Sequence, residues 1–222
     1  MSAHTPPRIA VLGAGHTGPV IAKVFVEAGY PVSIAASGDP EKIALLVSFL
    51  APGAEPMWAA DAVAGADVVI LAVPLHRFPE LEPEWFAGKV VVDTMNYWPP
   101  TDGVQALFED PARGSSEIVQ SRLPDARIVK TLNHIGYHEL DEYREPPGAP
   151  RRRALGVAGD DSAAVALVAE TIDRVGYDVV TLPTLAAGRV LQPGGPVFGA
   201  DFTRAEFDSA VDIETTLKGA SS

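Results

Sequence analysis

The sequence predicts a doubly wound α/β fold: a parallel sheet with helices on both faces, completed by a small C-terminal α/β lobe. Three observations carry this. Ile9 to Gly18 reads as an apolar strand running into Gly-x-Gly-x-x-Gly, with a helical pattern directly behind it. Asp67 to Pro74 is an almost unbroken apolar run rich in β-branched residues, as expected of a strand buried on both faces of a parallel sheet. Strand and helix patterns alternate as far as Leu132.

Each element follows from local pattern. Arg8 to Leu12 is the first strand. Thr17 to Ala28 reads as a helix with Val20, Ile21, Val24 and Phe25 on one face, and Gly29 stands where a helix-ending glycine is expected. Val32 to Ala36 is the second strand. Asp39 reads as an N-cap with Pro40 at the first helical position of a helix reaching about Leu50. Ala54 to Trp58 is a short third strand and Ala59 to Gly65 a small helix. Strands follow at Asp67–Pro74, Lys89–Thr94 and Arg127–Leu132, with a helix at Ser115–Leu123. Tyr137 to Pro150, rich in proline and charge, reads as a loop. Beyond it come strands at Ala154–Ala158 and Tyr177–Leu182 around a helix at Asp160–Val175. A last helix at Phe202–Leu217 is capped by Thr203, with Glu206 three residues on. The expected division is a dinucleotide-binding core over residues 1–136 and a lobe over 137–222 that completes an acceptor site. Leu185, Val190, Leu191, Val197 and Phe198 in that lobe suit either a homodimer contact or packing on the lobe's own helix.

Composition narrows the function. Hydrophobic residues make up 47%, enough for a sizeable core. A net charge of −12 argues against nucleic-acid or anionic-membrane partners, which need clustered Lys and Arg. The basic run Arg151-Arg152-Arg153 reads as a solvated loop end rather than an anion site. The chain has no cysteine, which excludes disulfides, thiolate catalysis and cysteine metal sites. With no membrane-length apolar run and no separate signal segment before the first strand, a cytoplasmic protein is expected.

In such sheets the ligand lies across the carboxyl ends of the strands. The candidate dinucleotide-binding residues are therefore Gly13, Ala14, Gly15, His16, Thr17 and Gly18 after the first strand. Ser37, Gly38 and Lys42 follow the second, Val73, Pro74, Leu75 and His76 the fourth, and Asn96 the fifth. Gly13 allows the tight turn, Gly15 lets the backbone approach a pyrophosphate, and Gly18 lets the helix pack on the sheet. The helix N-terminus presents free N–H groups to the phosphates. An Asp or Glu ending the second strand would favour NAD; Ser37 stands there instead, which puts NADP ahead of NAD, with Asp39 read as a helix cap.

These segments, in this order and spacing, resemble the NADP oxidoreductase, coenzyme F420-dependent family along nearly the whole chain. The resemblance runs through Val11–Gly18, Ala36–Lys42, Val69–Leu75, Val90–Asn96, Ile128–Ile135, Gly159–Asp161 and Leu185–Arg189. It implies hydride transfer between NADP and an 8-hydroxy-5-deazaflavin, coenzyme F420, acting as a small-molecule electron acceptor. It places Pro74, Leu75 and His76 beside the ribose and nicotinamide, and Asn133, His134 and Ile135 beside the ring-stacking site. His134 is then the candidate to hydrogen-bond the acceptor ring, or else a polar residue satisfied at a strand end. Tyr97 and Trp98 are either a wall for a flat acceptor or a rigid packing corner. Gly38 occupies the position where the family usually has an arginine for the 2′-phosphate. Other readings of the same fold are a reductase of a flavin, quinone or small carbonyl compound, and a non-catalytic dinucleotide-binding redox sensor. Such chemistry requires no metal.

Overall fold

A computed structural model describes residues 5–110 and 112–220 of the chain. Eight strands form one sheet: β1 (Ile9–Leu12), β2 (Val32–Ala35), β3 (Glu55–Pro56), β4 (Val68–Leu71), β5 (Val90–Asp93), β6 (Arg127–Lys130), β7 (Ala154–Gly159) and β8 (Asp178–Leu182). Their order is β3-β2-β1-β4-β5-β6-β7-β8. All neighbours are parallel except β6 and β7, which pair antiparallel through Val129–Gly159 and Lys130–Ala158. The first six strands follow the doubly wound order, in which the chain restarts at β4 beside β1 and leaves a crevice between the two halves.

Alternation along the buried strands feeds two apolar layers. Ile9 and Val11 of β1 point to the face covered by α1 (Thr17–Glu27), α2 (Glu41–Leu50) and, further along, α7 (Ser162–Val175). Ala10 and Leu12 point to the other face, covered by α3 (Ala59–Gly65) and, past a four-residue α4 (Pro99–Asp102), by α5 (Ser115–Arg122). This is the period-two geometry of a strand. Gly29 closes α1 at φ 86°, with its N–H on the Val26 carbonyl and the Tyr30 N–H on that of Phe25, the paired bonds of a Schellman end.

Several local expectations shift. The third strand contracts to Glu55–Pro56, because proline limits pairing at this sheet edge. Helix α2 begins at Glu41, and the Asp39 carboxylate accepts the Glu41 N–H from just outside it. Inside the segment read as a loop, Tyr137–Glu142 forms α6, started by Glu139 accepting the Gly136 N–H at 3.2 Å. The prolines that suggested a loop all lie beyond its end. The final helix, α8 (Arg204–Ala220), is capped by the Thr203–Glu206 pair.

The arginine run is corrected. Only Arg151 is a surface residue. Arg152 is buried and bonds Asp173 and Asp178 at 2.6 and 2.9 Å, and Arg153 is buried on Glu139 at 2.9 Å. Flanking prolines hid the fact that Arg153 leads directly into β7. Leu185, Leu191 and Val197 are buried within the chain itself, the last two against Phe207 of α8. Gly156 permits this contact, since a Cβ there would lie 2.5 Å from Leu191 and 2.8 Å from Phe207. Among the described residues, no helix is long and apolar enough to cross a membrane.

Candidate active site

The ends of β1, β2, β4 and β5 open into a cleft of about 970 Å³ at the carboxyl edge of the sheet. Gly13, Ala14, Gly15, His16 and Thr17 line its centre, and Ser37 and Gly38 one end. Val73, Pro74, Leu75 and Asn96 line the other side. Gly18, Lys42, His76, Asn133 and His134 lie outside its lining.

The three glycines of the loop differ physically. Gly13 has φ 124°, and a Cβ there would overlap the Ala72 carbonyl oxygen. A Cβ on Gly18 would overlap the Gly13 carbonyl oxygen, so this glycine sets how closely α1 approaches the turn. A Cβ on Gly15 would meet no protein atom within 4 Å, because it would project into the open cleft. Helix α1 starts beside it, and no side chain caps its first turn. Free N–H groups, the helix dipole and an open approach over glycine form a place suited to a pyrophosphate. The site therefore fits a dinucleotide.

Beneath the cleft lies a fully buried ionic cluster. Lys130 of β6 reaches Asp93 of β5 at 3.3 Å and donates to the Met95 carbonyl at 2.6 Å. Ser116 donates to Asp93 Oδ2 at 2.6 Å, and the Met95 N–H to Asp93 Oδ1 at 2.9 Å. Burial pulls the Lys130 ammonium below its usual range, against the attraction of Asp93. The cluster ties β5, β6 and α5 together and fixes the backbone of Met95, which lines the cleft.

Asn133 acts one step back from the cleft. Its side-chain amide donates to Asn96 Oδ1 at 2.9 Å and to the Leu191 carbonyl at 2.6 Å, and its own carbonyl accepts from Asn96 Nδ2 at 2.7 Å. The two asparagines hold each other, and only Asn96 borders the cleft. Leu132 precedes Asn133 at φ 63°, a conformation uncommon for a branched side chain.

His134 is not placed to act on a ligand in the cleft. It is buried, its Nε2 accepts the Gly156 N–H at 3.1 Å, and Phe207 packs edge-on to its ring. Burial, then the nearby Arg153 and Lys130 charges, pull its pKa down to about 3. The neutral ring completes the lobe's hydrogen bonding, the strand-end alternative of the sequence reading. A pH dependence follows. The unfolded chain binds a proton on this histidine below about pH 6.5, and the folded chain does not until about pH 3. His134 stability is thus intact above pH 6.5 and lost as pH falls toward 3, with a slope approaching about 1.4 kcal/mol per pH unit. Denaturant midpoints measured from pH 7 to 4 should show a shallower acid decline in His134→Gln than in the wild type. An unchanged decline would refute the assignment.

Tyr97 and Trp98 also lie outside the cleft lining. The Tyr97 hydroxyl donates to Glu109 and accepts the Gln105 N–H, and its ring packs on Phe108. Trp98 donates its backbone N–H to Asp102 at 2.8 Å and leads into Pro99 and Pro100 of α4. Tyr97 is thus packed, Trp98 is half exposed, and the turn they enter delivers Asp102 to the cleft.

Trp58, Leu81 and Trp85 line the cleft although the sequence reading names none of them as a site residue. Trp58 follows β3, and Leu81 and Trp85 come from the connection between β4 and β5. That connection holds 3₁₀ turns at Leu75–Glu80 and Pro83–Phe86, too short for apolar periodicity to reveal. Arg77 and Glu80 of the same connection line the cleft and pair at 2.7 Å, and the bond from Arg77 holds the Glu80 carboxyl below its usual range.

A family model described as NADP oxidoreductase, coenzyme F420-dependent, matches residues 8–97. Among solved structures, a protein of unassigned function from Sinorhizobium meliloti is 30% identical with a TM-score of 0.77, the match covering 89% of this chain and 95% of that one. A provisionally assigned F420-dependent NADP reductase from Arthrobacter sp. FB24 is 28% identical with a TM-score of 0.70, covering 89% of this chain and all 100% of that one. Glycerol-3-phosphate dehydrogenase from Coxiella burnetii shares the fold alone, at 13% identity and a TM-score of 0.64 over 84% of this chain and 57% of that one. No curated protein matches significantly by sequence.

Proposed function

This chain belongs to the NADP oxidoreductase, coenzyme F420-dependent family, and on that premise we propose that it passes a hydride between NADP(H) and the deazaflavin coenzyme F420. The supporting observation is the single cleft that runs from Ser37 and Gly38 across the glycine loop to Asn96, open over Gly15. Its length and its uncapped helix suit an extended dinucleotide diphosphate. Bound NADPH would supply the hydride at its nicotinamide ring.

The chain's own residues then have three tasks. The glycine loop and the start of α1 hold the diphosphate. Val73, Pro74 and Leu75 form an apolar wall that excludes water from the nicotinamide half. Thr94, Met95 and Asn96, fixed from below by the Asp93–Lys130 cluster and from behind by Asn133, orient the reacting faces. Direct hydride transfer requires the two rings in near-attack contact, about 3–3.5 Å apart, and no nucleophile.

The test is NADPH consumption by the purified protein with coenzyme F420, a flavin, a quinone and a small carbonyl compound in separate assays. Turnover confined to the deazaflavin is expected. Turnover only with another acceptor would transfer the reading to that substrate class. Dinucleotide binding without any turnover would make the protein a redox sensor.

A further inference from the structure

Leu185, Leu191 and Val197 of the lobe, candidates for a contact between copies, are buried within the chain. The exposed apolar surface is concentrated instead on α2. All of its residues except Glu41, Lys42 and Ser48 are apolar. A helix that is apolar all round is normally buried all round. This one is covered on one side only: Val47 and, just past the helix, Ala51 are buried in the core, and Ile43 packs beside them. On the opposite side Leu45 is 72% exposed, Leu46 39%, Phe49 76% and Leu50 50%. At 3.6 residues per turn these four fall within an arc of about 140°, as one contiguous stripe. Together they expose on the order of 400 Å², the size at which an apolar patch on a chain of this kind marks an interaction site.

Charge and area favour a second copy of this chain as the occupant. The stripe contains no carboxylate, and Lys42 at its start is the one charge in line with it. Two such stripes can therefore meet about a twofold axis with no like-charge pair at the centre. The net charge of −12 makes copies repel elsewhere, which singles out this uncharged face. Pairing the stripe with itself would remove about 800 Å² of apolar surface from water, roughly half of a standard interface, a share suited to an apolar core within a polar rim. The same net charge, with the single Lys42 beside the stripe, disfavours an anionic membrane surface.

We propose that α2 is a homodimer contact, in which Leu45, Leu46, Phe49 and Leu50 pack against the same four residues of a second copy across a twofold axis. Ile43, on the covered side of the same helix, lines the cleft, so the contact braces one wall of each copy's site. The contact does not depend on which ligand the cleft takes.

Sedimentation velocity over a concentration series, on wild type, Leu45→Glu/Phe49→Glu and Ile213→Glu, tests this. Ile213 is the control, an exposed apolar residue on α8. The wild type should sediment at twice the chain mass of 23.3 kDa. The double variant should run as a monomer, its dissociation constant weakened about 100-fold or more, with the circular dichroism of the wild type because both side chains are exposed. Ile213→Glu should remain a dimer. The chain has no cysteine, so Leu46→Cys places one thiol at the middle of the stripe. A bis-maleimide should join two copies through that thiol and not through Ile213→Cys. A wild type that is monomeric at every concentration, a dimer that survives the double variant, or a dimer that Ile213→Glu dissociates would overturn the proposal. So would a monomeric wild type that pellets with phosphatidylcholine–phosphatidylglycerol vesicles when the double variant does not, which would assign the stripe to a membrane surface.

Discussion

Gly15→Val should abolish measurable dinucleotide binding while leaving the protein folded. Gly15 is not in the left-handed region, and a Cβ there meets no protein atom within 4 Å, so the valine costs the fold little. Its branched side chain would instead fill the space over the glycine loop, beside the start of α1, where the diphosphate must approach the backbone. A loss of about 100-fold or more, roughly 2.7 kcal/mol, is expected in NADP⁺ affinity, with the melting temperature within a few degrees of wild type. Gly13→Ala and Gly18→Ala make the contrast. Each added Cβ would overlap a backbone carbonyl, so these variants should lose stability as well as binding. Wild-type affinity in Gly15→Val would remove the diphosphate from this loop.

The second large effect lies under the floor of the site. Lys130→Met leaves Asp93 buried without a cation and deprives the Met95 carbonyl of its donor. Breaking a buried pair from one side costs about 3–5 kcal/mol, because the remaining charge has no compensation. For a chain of this size that is on the order of ten degrees in melting temperature. The double variant Asp93→Asn/Lys130→Met should recover much of the loss, since exchange of both charges for neutral groups is often close to neutral. Hydride transfer should nevertheless slow in the double variant, because Met95 and Asn96 lose their anchor. A single variant as stable as wild type would show that the pair contributes nothing to the fold.

Much of the cleft was legible in the sequence, because its central part is built by backbone. The glycine spacing after an apolar strand dictates a turn, an approach and a helix packing, and each glycine meets a distinct steric condition. The β2 tip and the Val73–Leu75 exit were legible for the same reason: strand ends point to one edge. What the sequence does not show is which polar groups turn inward. Asn133 and His134 leave β6 at the expected edge, yet the left-handed Leu132 and the antiparallel β7 draw both beneath the surface. The antiparallel step itself has no local signature, since β7 reads as a strand in either direction. Lys130 looks like an ordinary surface lysine until Asp93, 37 residues earlier, is brought beside it. Arg152 and Arg153 are a similar case, with partners supplied by α6, α7 and β8. Trp58, just after a short edge strand, and Trp85, in a 3₁₀ turn, reach the cleft beside elements too small for periodicity to detect.

On the proposed function, this cleft binds NADP(H) in the orientation of a doubly wound sheet, with the diphosphate over Gly15. The most direct measurement is calorimetric titration of NADP⁺ and NAD⁺ into the wild type and Gly15→Val. The expected result is one NADP⁺ per chain on the wild type, bound more tightly than NAD⁺, and no detectable heat with folded Gly15→Val. Binding of neither dinucleotide to the wild type, or equal binding to both proteins, would contradict it.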